Sequence, residues 1–434
     1  MNELTHGFRI EAEKCHGCMA CMRACPTRAI RVKKGRASVI PQLCIDCGSC
    51  LAACSTGAIA AATVGFAELD KFKYKVAVVT PALYTQFPLK HAPAQVNRAL
   101  RELGFDAVWE YAVDIELIDL AIRKYVKNWS GPFPLISNSC PVVVRLVQVA
   151  YPTLVNQLIR VDAPRETAAR ELKRRYSKKL GLEPSEIAAV YIAPCQAKTI
   201  SILQPAEGGG SSLDGSVGIS EIYNDLLSIL RRGPAEDDPA GNGNGSSEWF
   251  HWGAPEGEFP SLSQEHYLPL LGLSDIIKVF NDIEKGKIRN IDFLECHACQ
   301  GACIGGNLTV ENLYVARTRN LRLISGLSLP SQAMGDEIAR RLSEEDFSLR
   351  APILPRNVEG RDIDLRDRVA RKKRADAMMK TLPGLNCGLC GAPSCRNHAE
   401  DVSLDRAETV ECVFLSRDRI DVLRTIYKKT ARGD

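Results

Sequence analysis

The stretch Leu294–Gly306, LECHACQGACIGG, places Cys299 and Cys303 one helical turn apart, just after a short apolar run. Two other apolar runs also close on cysteine: LISNSCP at Cys140 and VYIAPCQAK at Cys195. In an open α/β sheet, ligands gather beyond the carboxyl ends of the strands. Three strands of this kind would bring four thiolates to one point, and four thiolates are the ligand set of a [4Fe–4S] cluster. The pattern predicts a metal-cluster site assembled from across a domain.

Composition agrees with an intracellular redox protein. A chain of 434 residues, 45% of them hydrophobic, has room for two or three domains and at least one substantial core. Seventeen cysteines suggest a disulfide scaffold only in a short secreted chain. The N-terminus, MNELTHGFRIEAEKC, is charged where a secretory segment is apolar, and no run approaches the roughly 18 apolar residues of a membrane span. The expectation is a soluble cytoplasmic protein with no membrane span. A net charge of +4 over this length gives little reason to expect a nucleic-acid partner.

The remaining cysteines fall into two groups. Cys15, Cys18, Cys21 and Cys25 follow C-x2-C-x2-C-x3-C and precede Pro26; Cys44, Cys47, Cys50 and Cys54 repeat the spacing. This resembles a bacterial two-cluster ferredoxin. The resemblance implies that Cys15, Cys18, Cys21 and Cys54 hold one cluster, and that Cys44, Cys47, Cys50 and Cys25 hold the other. Ser55 stands where the second motif usually has proline, a change to the local turn more than to ligation. Near the other end, Cys387, Cys390, Cys395 and Cys412 lie in LPGLNCGLCGAPSC and the polar stretch after it. This resembles a small single-cluster module of electron-transport subunits and corrinoid iron–sulfur proteins. Zinc is the competing occupant of both groups, since C-x2-C also holds that metal tetrahedrally.

Between these ends, short apolar runs alternate with amphipathic segments, as in α/β structure. Strands are expected at Lys75–Thr80, Phe105–Trp109, Leu135–Ser137, Ala188–Ala193, Val217–Ser220 and Ile291–Leu294. Helices are expected at Pro93–Leu103, Asp114–Lys127, from Pro141 onward, at Glu166–Leu180, at Glu221–Arg231 behind a Ser220 cap, and at Ser274–Glu284. Pro205–Gly215 and Gly233–Ser247 lack apolar content and are expected as mobile surface loops. They carry no phosphate-loop lysine motif. The RKKR run at Arg371–Arg374 is expected on the solvated face of a helix connecting to the C-terminal module.

The contexts SNSCP, APCQAK and ECHACQGACIGG resemble, in chain order, the three cluster-binding motifs of the [FeFe]-hydrogenase catalytic domain. The similarity runs over roughly residues 75–343. It implies an α/β catalytic-type domain with strand-end cysteine ligands at 75–345. An α+β two-cluster ferredoxin domain at 1–62 and a small helical iron–sulfur module at 380–434 would flank it. In that family, cysteines matching Cys140, Cys195, Cys299 and Cys303 bind a [4Fe–4S] subcluster, and the one matching Cys303 bridges to a two-iron carbonyl/cyanide unit. Lys198 matches a lysine that contacts a cyanide, although on the residues alone a surface lysine reads equally well.

Several positions depart from the family. Ser139 replaces the cysteine that carries protons in efficient members; a thiol with pKa near 8.5 exchanges protons around neutrality and a serine hydroxyl does not. Ala193 and His297 replace two methionines, and Ser201 replaces an acidic residue. His297 reads either as a substitute proton donor or as a structural histidine. Cys296 reads as a bystander. Such changes resemble the sensory branch of the family, some of whose members carry a PAS domain after the C-terminal module; none is expected here, so a redox state would pass to a partner protein. The expectation is an iron–sulfur redox protein with four [4Fe–4S] clusters and possible substrates of hydrogen and protons: a slow or sensory hydrogenase with a redox partner or downstream signalling protein. The alternative is an electron-transfer or iron–sulfur assembly protein that keeps the four-cysteine cluster without the two-iron unit.

Overall fold

Apolar, β-branched runs bounded by turns and amphipathic helices pair here mainly as parallel strands buried on both faces, as such runs do in α/β proteins. The computed structural model describes residues 6–63, 66–233, 247–254, 266–325, 332–358 and 364–415. In the N-terminal part, β1 (Phe8–Ile10) pairs antiparallel with β4 (Ile59–Ala61), and β2 (Ile30–Lys33) with β3 (Arg36–Val39). Two short helices, Ala20–Ala24 and Ser49–Ala52, bury Cys21 and Cys50 in the same small core as Met22, Ile30 and Ile59.

The central part holds β5 (Tyr74–Val79), β6 (Ala107–Glu110), β7 (Leu135–Ile136), β8 (Ile187–Ala193), β9 (Gly215–Gly218), β10 (Tyr267–Leu271) and β11 (Phe293–His297). They form two parallel sheets, one in the order β6-β5-β8-β9 and one in the order β10-β11-β7. Every residue of β8 is buried, as a central strand covered on both faces requires. Proline opens the helices Pro93–Leu103, Pro141–Ala150 and Pro164–Leu180, where its fixed φ suits the first turn and its missing N–H costs nothing. In the C-terminal part, the Leu365–Met379 and Cys395–Ser403 helices pack together around Ala375, Leu382 and Ala399.

Some expectations change. The Glu221–Arg231 helix starts earlier, at Ile219, and its N-cap is Gly218 rather than Ser220. Glu221 Oε2 accepts from the Gly218 N–H at 2.8 Å, so the carboxylate does the capping from inside the first turn. Pro205–Gly215 is anchored instead of free. Glu166 accepts from the Ser211 hydroxyl and the Ser212 N–H, both at 2.7 Å, Asp214 ties the backbone of Ala189 to Lys173, and Leu213 is buried. Gly215 itself begins β9. Of the other expected loop, residues 234–246 lie outside the described residues. Strand β10 was not expected; Pro269 lies within it, which an edge strand tolerates.

Candidate metal centre

Three strand ends build the central site. β7 leads to Cys140, the N-cap of the Pro141–Ala150 helix, and β8 leads to Cys195, the N-cap of Gln196–Leu203. β11 leads to Cys299 and to Cys303, which sits in a 3-10 turn at Ala302–Gly305. The four thiols are close enough to repel one another as thiolates. Burial first, then Cys195, Cys140 and Cys303, push the Cys299 thiol well above its ordinary value. Cys195 is pushed up to about 11 by burial, against the pull of Lys198, with Cys303 and Cys140 adding to the rise. Gly253 closes the site from another segment: its carbonyl accepts from the Cys303 N–H at 2.8 Å. A Cβ there would come within 2.9 Å of Cys303 Cβ, at a φ of +76° that favours glycine.

Lys198 reaches into this group. It is 4% exposed, and its Nζ lies 3.1 Å from Cys303 Sγ. Burial alone would lower its pKa, but the negative charges available at Cys303, Tyr191, Tyr111 and Cys195 hold it well above the ordinary value. No carboxylate is among these groups. The hydroxyls of Tyr111 and Tyr191 are 3.4 Å apart in the core beside it.

Ser139 is buried immediately before Cys140, and Ala193 closes β8 with no exposure. Ser201 donates to the Lys198 carbonyl at 2.8 Å and accepts from Arg165 at 3.1 Å, so it serves the helix that carries Lys198. The His297 Nε2 is 2.8 Å from Glu295 Oε1, and the Tyr267 hydroxyl bonds the other carboxylate oxygen. His297 is thus held in a buried pair with Glu295. Cys296 points into an apolar cluster with Ile136, Phe280 and Leu294.

In the N-terminal part, a small cavity is lined by Cys15, Cys18, Cys21 and Cys54. Cys50 is pushed up to about 12 by burial and then by Cys47, Cys25 and Cys21. The spatial groups are thus the crossed ones, with Cys54 beside the first run and Cys25 beside the second. Near the C-terminal end, Cys387, Cys390, Cys395 and Cys412 line one cavity. None of the seventeen cysteines is in a disulfide.

These groups are joined. Cys47 of the N-terminal part adds to the repulsion on Cys299. Around it, the Asp46 carboxylate pairs with Arg145, Gln196 donates to the Asp46 carbonyl at 2.9 Å, and Asn307 donates to the Cys47 carbonyl at 3.0 Å. Gly48, at φ +75°, leaves no room for a side chain: a Cβ would fall 1.6 Å from Asn307 Nδ2. On the other side, Arg31 of β2 forms a buried pair with Asp401, with Nη2 to Oδ1 at 2.9 Å, and the Val32 N–H donates to the Gly391 carbonyl at 3.0 Å.

Residues 73–226 match the family described as iron only hydrogenase large subunit, C-terminal domain. Residues 8–55 match a 4Fe-4S dicluster domain, and residues 382–414 match an Fe-S cluster family. Iron hydrogenase 1 of Clostridium pasteurianum is 24% identical over 258 residues, which is 49% of this chain and 44% of that protein. The periplasmic [Fe] hydrogenase large subunit of Nitratidesulfovibrio vulgaris is 26% identical over 231 residues, 46% of this chain and 52% of that one. The chain thus spans about half the length of these curated relatives. In fold it is similar to a variant of [FeFe]-hydrogenase HydA1 from Chlamydomonas reinhardtii, with TM-score 0.52 and 17% identity, over 67% of this chain and 98% of that one.

The donor sets suit iron–sulfur clusters. Crowded, buried thiols resist ionisation on their own, and a bound cluster supplies the positive charge that lets them bind as thiolates. Three features of this site were missed from sequence: Glu295 behind His297, the Tyr111–Tyr191 pair, and the Gly253 contact with Cys303. Only Tyr191 left a signal, since it shares the period-two face of β8 with Ala193. No described helix is long and apolar enough to cross a membrane.

Proposed function

We propose that the protein is a slow or sensory [FeFe]-hydrogenase-type redox protein carrying out 2H⁺ + 2e⁻ ⇌ H₂. Electrons would pass between the central site and [4Fe–4S] clusters held by the N-terminal and C-terminal cysteine groups. The observation that carries this reading is Lys198, a buried ammonium 3.1 Å from the sulfur of Cys303. A buried cation needs a specific anionic partner. A lone [4Fe–4S] cluster spreads its negative charge over four thiolates, whereas Lys198 is aimed at the one matching the bridging cysteine. Cys140, Cys195, Cys299 and Cys303 would hold the cluster, with Cys303 and Lys198 contacting a two-iron unit. When bound, that unit supplies the redox-active metal at which protons are reduced or hydrogen is split.

The chain's own residues explain slow turnover. Lys198 donates a hydrogen bond and excludes water from the Cys303 side. Ser139 offers a hydroxyl where a thiol would exchange protons near neutrality, so proton delivery has to run through a relay or water. Glu295 and Tyr267 orient His297. The proximity of Cys47 and Cys299 supports electron exchange with the N-terminal clusters. The Arg31–Asp401 contact supports the C-terminal group as a second port, open to a redox partner or downstream signalling protein.

Infrared spectroscopy of protein produced with the family's maturation machinery, or supplied with a synthetic precursor, tests the reading. Carbonyl and cyanide stretches that respond to hydrogen are expected. Cys303→Ala abolishes them and Cys296→Ala does not. Fully clustered, matured protein with no such bands and no hydrogen activity would instead be an electron-transfer or assembly protein.

A further inference from the structure

A cavity of about 430 Å³ opens between the Leu365–Met379 helix, the Cys395–Ser403 helix and the segment just before Cys44. It receives two of the four residues of the RKKR run. Arg368, Arg371 and Lys372 reach it from one helix face, at i, i+3 and i+4, with Ala375 buried at i+7. Arg31, Arg396 and Arg406 approach from the other walls.

The carboxylates in the lining, Glu400 and Asp401, are already engaged by Arg396 and Arg31 respectively. Among the described residues, no carboxylate lies within ion-pair distance of Arg368, Arg371 or Lys372. Arg406 is held below its ordinary value by burial and then by the charge of Arg31. A concave surface with surplus positive charge concentrates anions, and guanidinium forks match phosphate oxygens two at a time. Ile40, Leu43 and Leu404 add apolar lining. The volume falls within the few hundred to about 1,000 Å³ of small-molecule sites.

We propose that this cavity binds a small organic polyphosphate of nucleotide size. Its phosphates contact Arg368, Arg371 and Lys372, and its organic part covers Ile40, Leu43 and Leu404. The cations line three walls of one concave, open cavity, an arrangement that suits a small anion better than the extended backbone of a nucleic acid. The walls come from both ends of the chain, so the bound anion also reinforces the contact made by Arg31 and Asp401. This site is independent of the hydrogen chemistry proposed above.

Calorimetric titration of the cluster-loaded full chain with ADP and with inorganic pyrophosphate, at low ionic strength, tests it. ADP should bind saturably at one site and pyrophosphate more weakly. The double substitution Arg371→Ala, Lys372→Ala should weaken ADP at least tenfold. Arg366→Ala, exposed on the same helix but outside the lining, should leave it unchanged. No saturable binding of either compound overturns the proposal, as does an equal loss in Arg366→Ala, which would mark general attraction to a basic helix. Pyrophosphate binding as tightly as ADP overturns the role given to the apolar lining.

Discussion

Asp401→Ala should loosen the C-terminal part from β2 by a large, measurable amount. The Arg31 and Asp401 side chains are 9% and 5% exposed, so their pair is shielded from water. Arg31 also donates through Nη1 to the Arg28 carbonyl at 2.7 Å and the Ile30 carbonyl at 3.1 Å, which pins the guanidinium in place. Removing the carboxylate leaves a buried, immobile cation without its counter-charge. Breaking a buried pair from one side costs about 3–5 kcal/mol, against about 0–1 kcal/mol for an exposed pair. At about 1.4 kcal/mol per tenfold, amide protection in the 395–403 helix and in β2 should fall by roughly two to almost four powers of ten. The fall stops where the helix's own opening free energy is exhausted. Hydrogen exchange with mass-spectrometric detection reads this directly on cluster-loaded protein, with iron content checked so that cluster loss is not mistaken for undocking. The paired substitution Arg31→Met, Asp401→Leu should recover most of the protection, because matched apolar groups leave nothing uncompensated. A loss of less than tenfold in Asp401→Ala would refute the reasoning and class the contact with solvent-screened pairs.

Sixteen of the seventeen cysteines have proposed cluster roles, so anaerobic analysis should find roughly 16 irons per chain, or about 18 with a two-iron unit; stoichiometric zinc would contradict a terminal cluster. Ser139→Cys should raise hydrogen turnover with cluster spectra nearly unchanged, tenfold corresponding to about 1.4 kcal/mol in the barrier. An unchanged rate in matured protein would shift the limit to Ala193 and His297. Burial lifts Asp114 to about 6 despite its pair with Arg341 at 2.9 Å. A carboxyl raised on folding contributes stability below its unfolded pKa and loses it as pH rises through the folded value. Relative to Asp114→Asn, the wild-type protein should therefore lose on the order of 1 kcal/mol between pH 5 and 7. A gap that is flat with pH, followed by chemical denaturation, would show that Arg341 fully offsets the burial.

What was legible in the sequence was whatever a local pattern encodes. Apolar runs ending in cysteine placed Cys140, Cys195, Cys299 and Cys303 at strand ends, and Pro93 and Pro141 marked helix starts, whereas the helix expected from Glu166 begins at Pro164. The glycine-rich 205–215 segment misled because its composition says nothing of Glu166, far earlier in the chain, whose carboxylate holds Ser211 and Ser212. Ser220 misled for a similar reason: the capping group is a side chain three residues inside the helix from Gly218.

Contacts between distant segments were the least legible, and they determine how the cysteine groups are connected. Asp46 meets Arg145, and Arg31 meets Asp401, across separations of 99 and 370 residues that no motif spans. The same limit hid the basic cavity. RKKR looked like an ordinary solvated helix face because its charge was visible, whereas Arg31, Arg396 and Arg406 join it only after folding. Each of these contacts buries charge, which adds little stability by itself and a large penalty when mispaired. Their proposed value is therefore geometric. A buried pair at each junction disfavours other dockings of the terminal parts, and so fixes which cysteine groups stand near enough to exchange electrons.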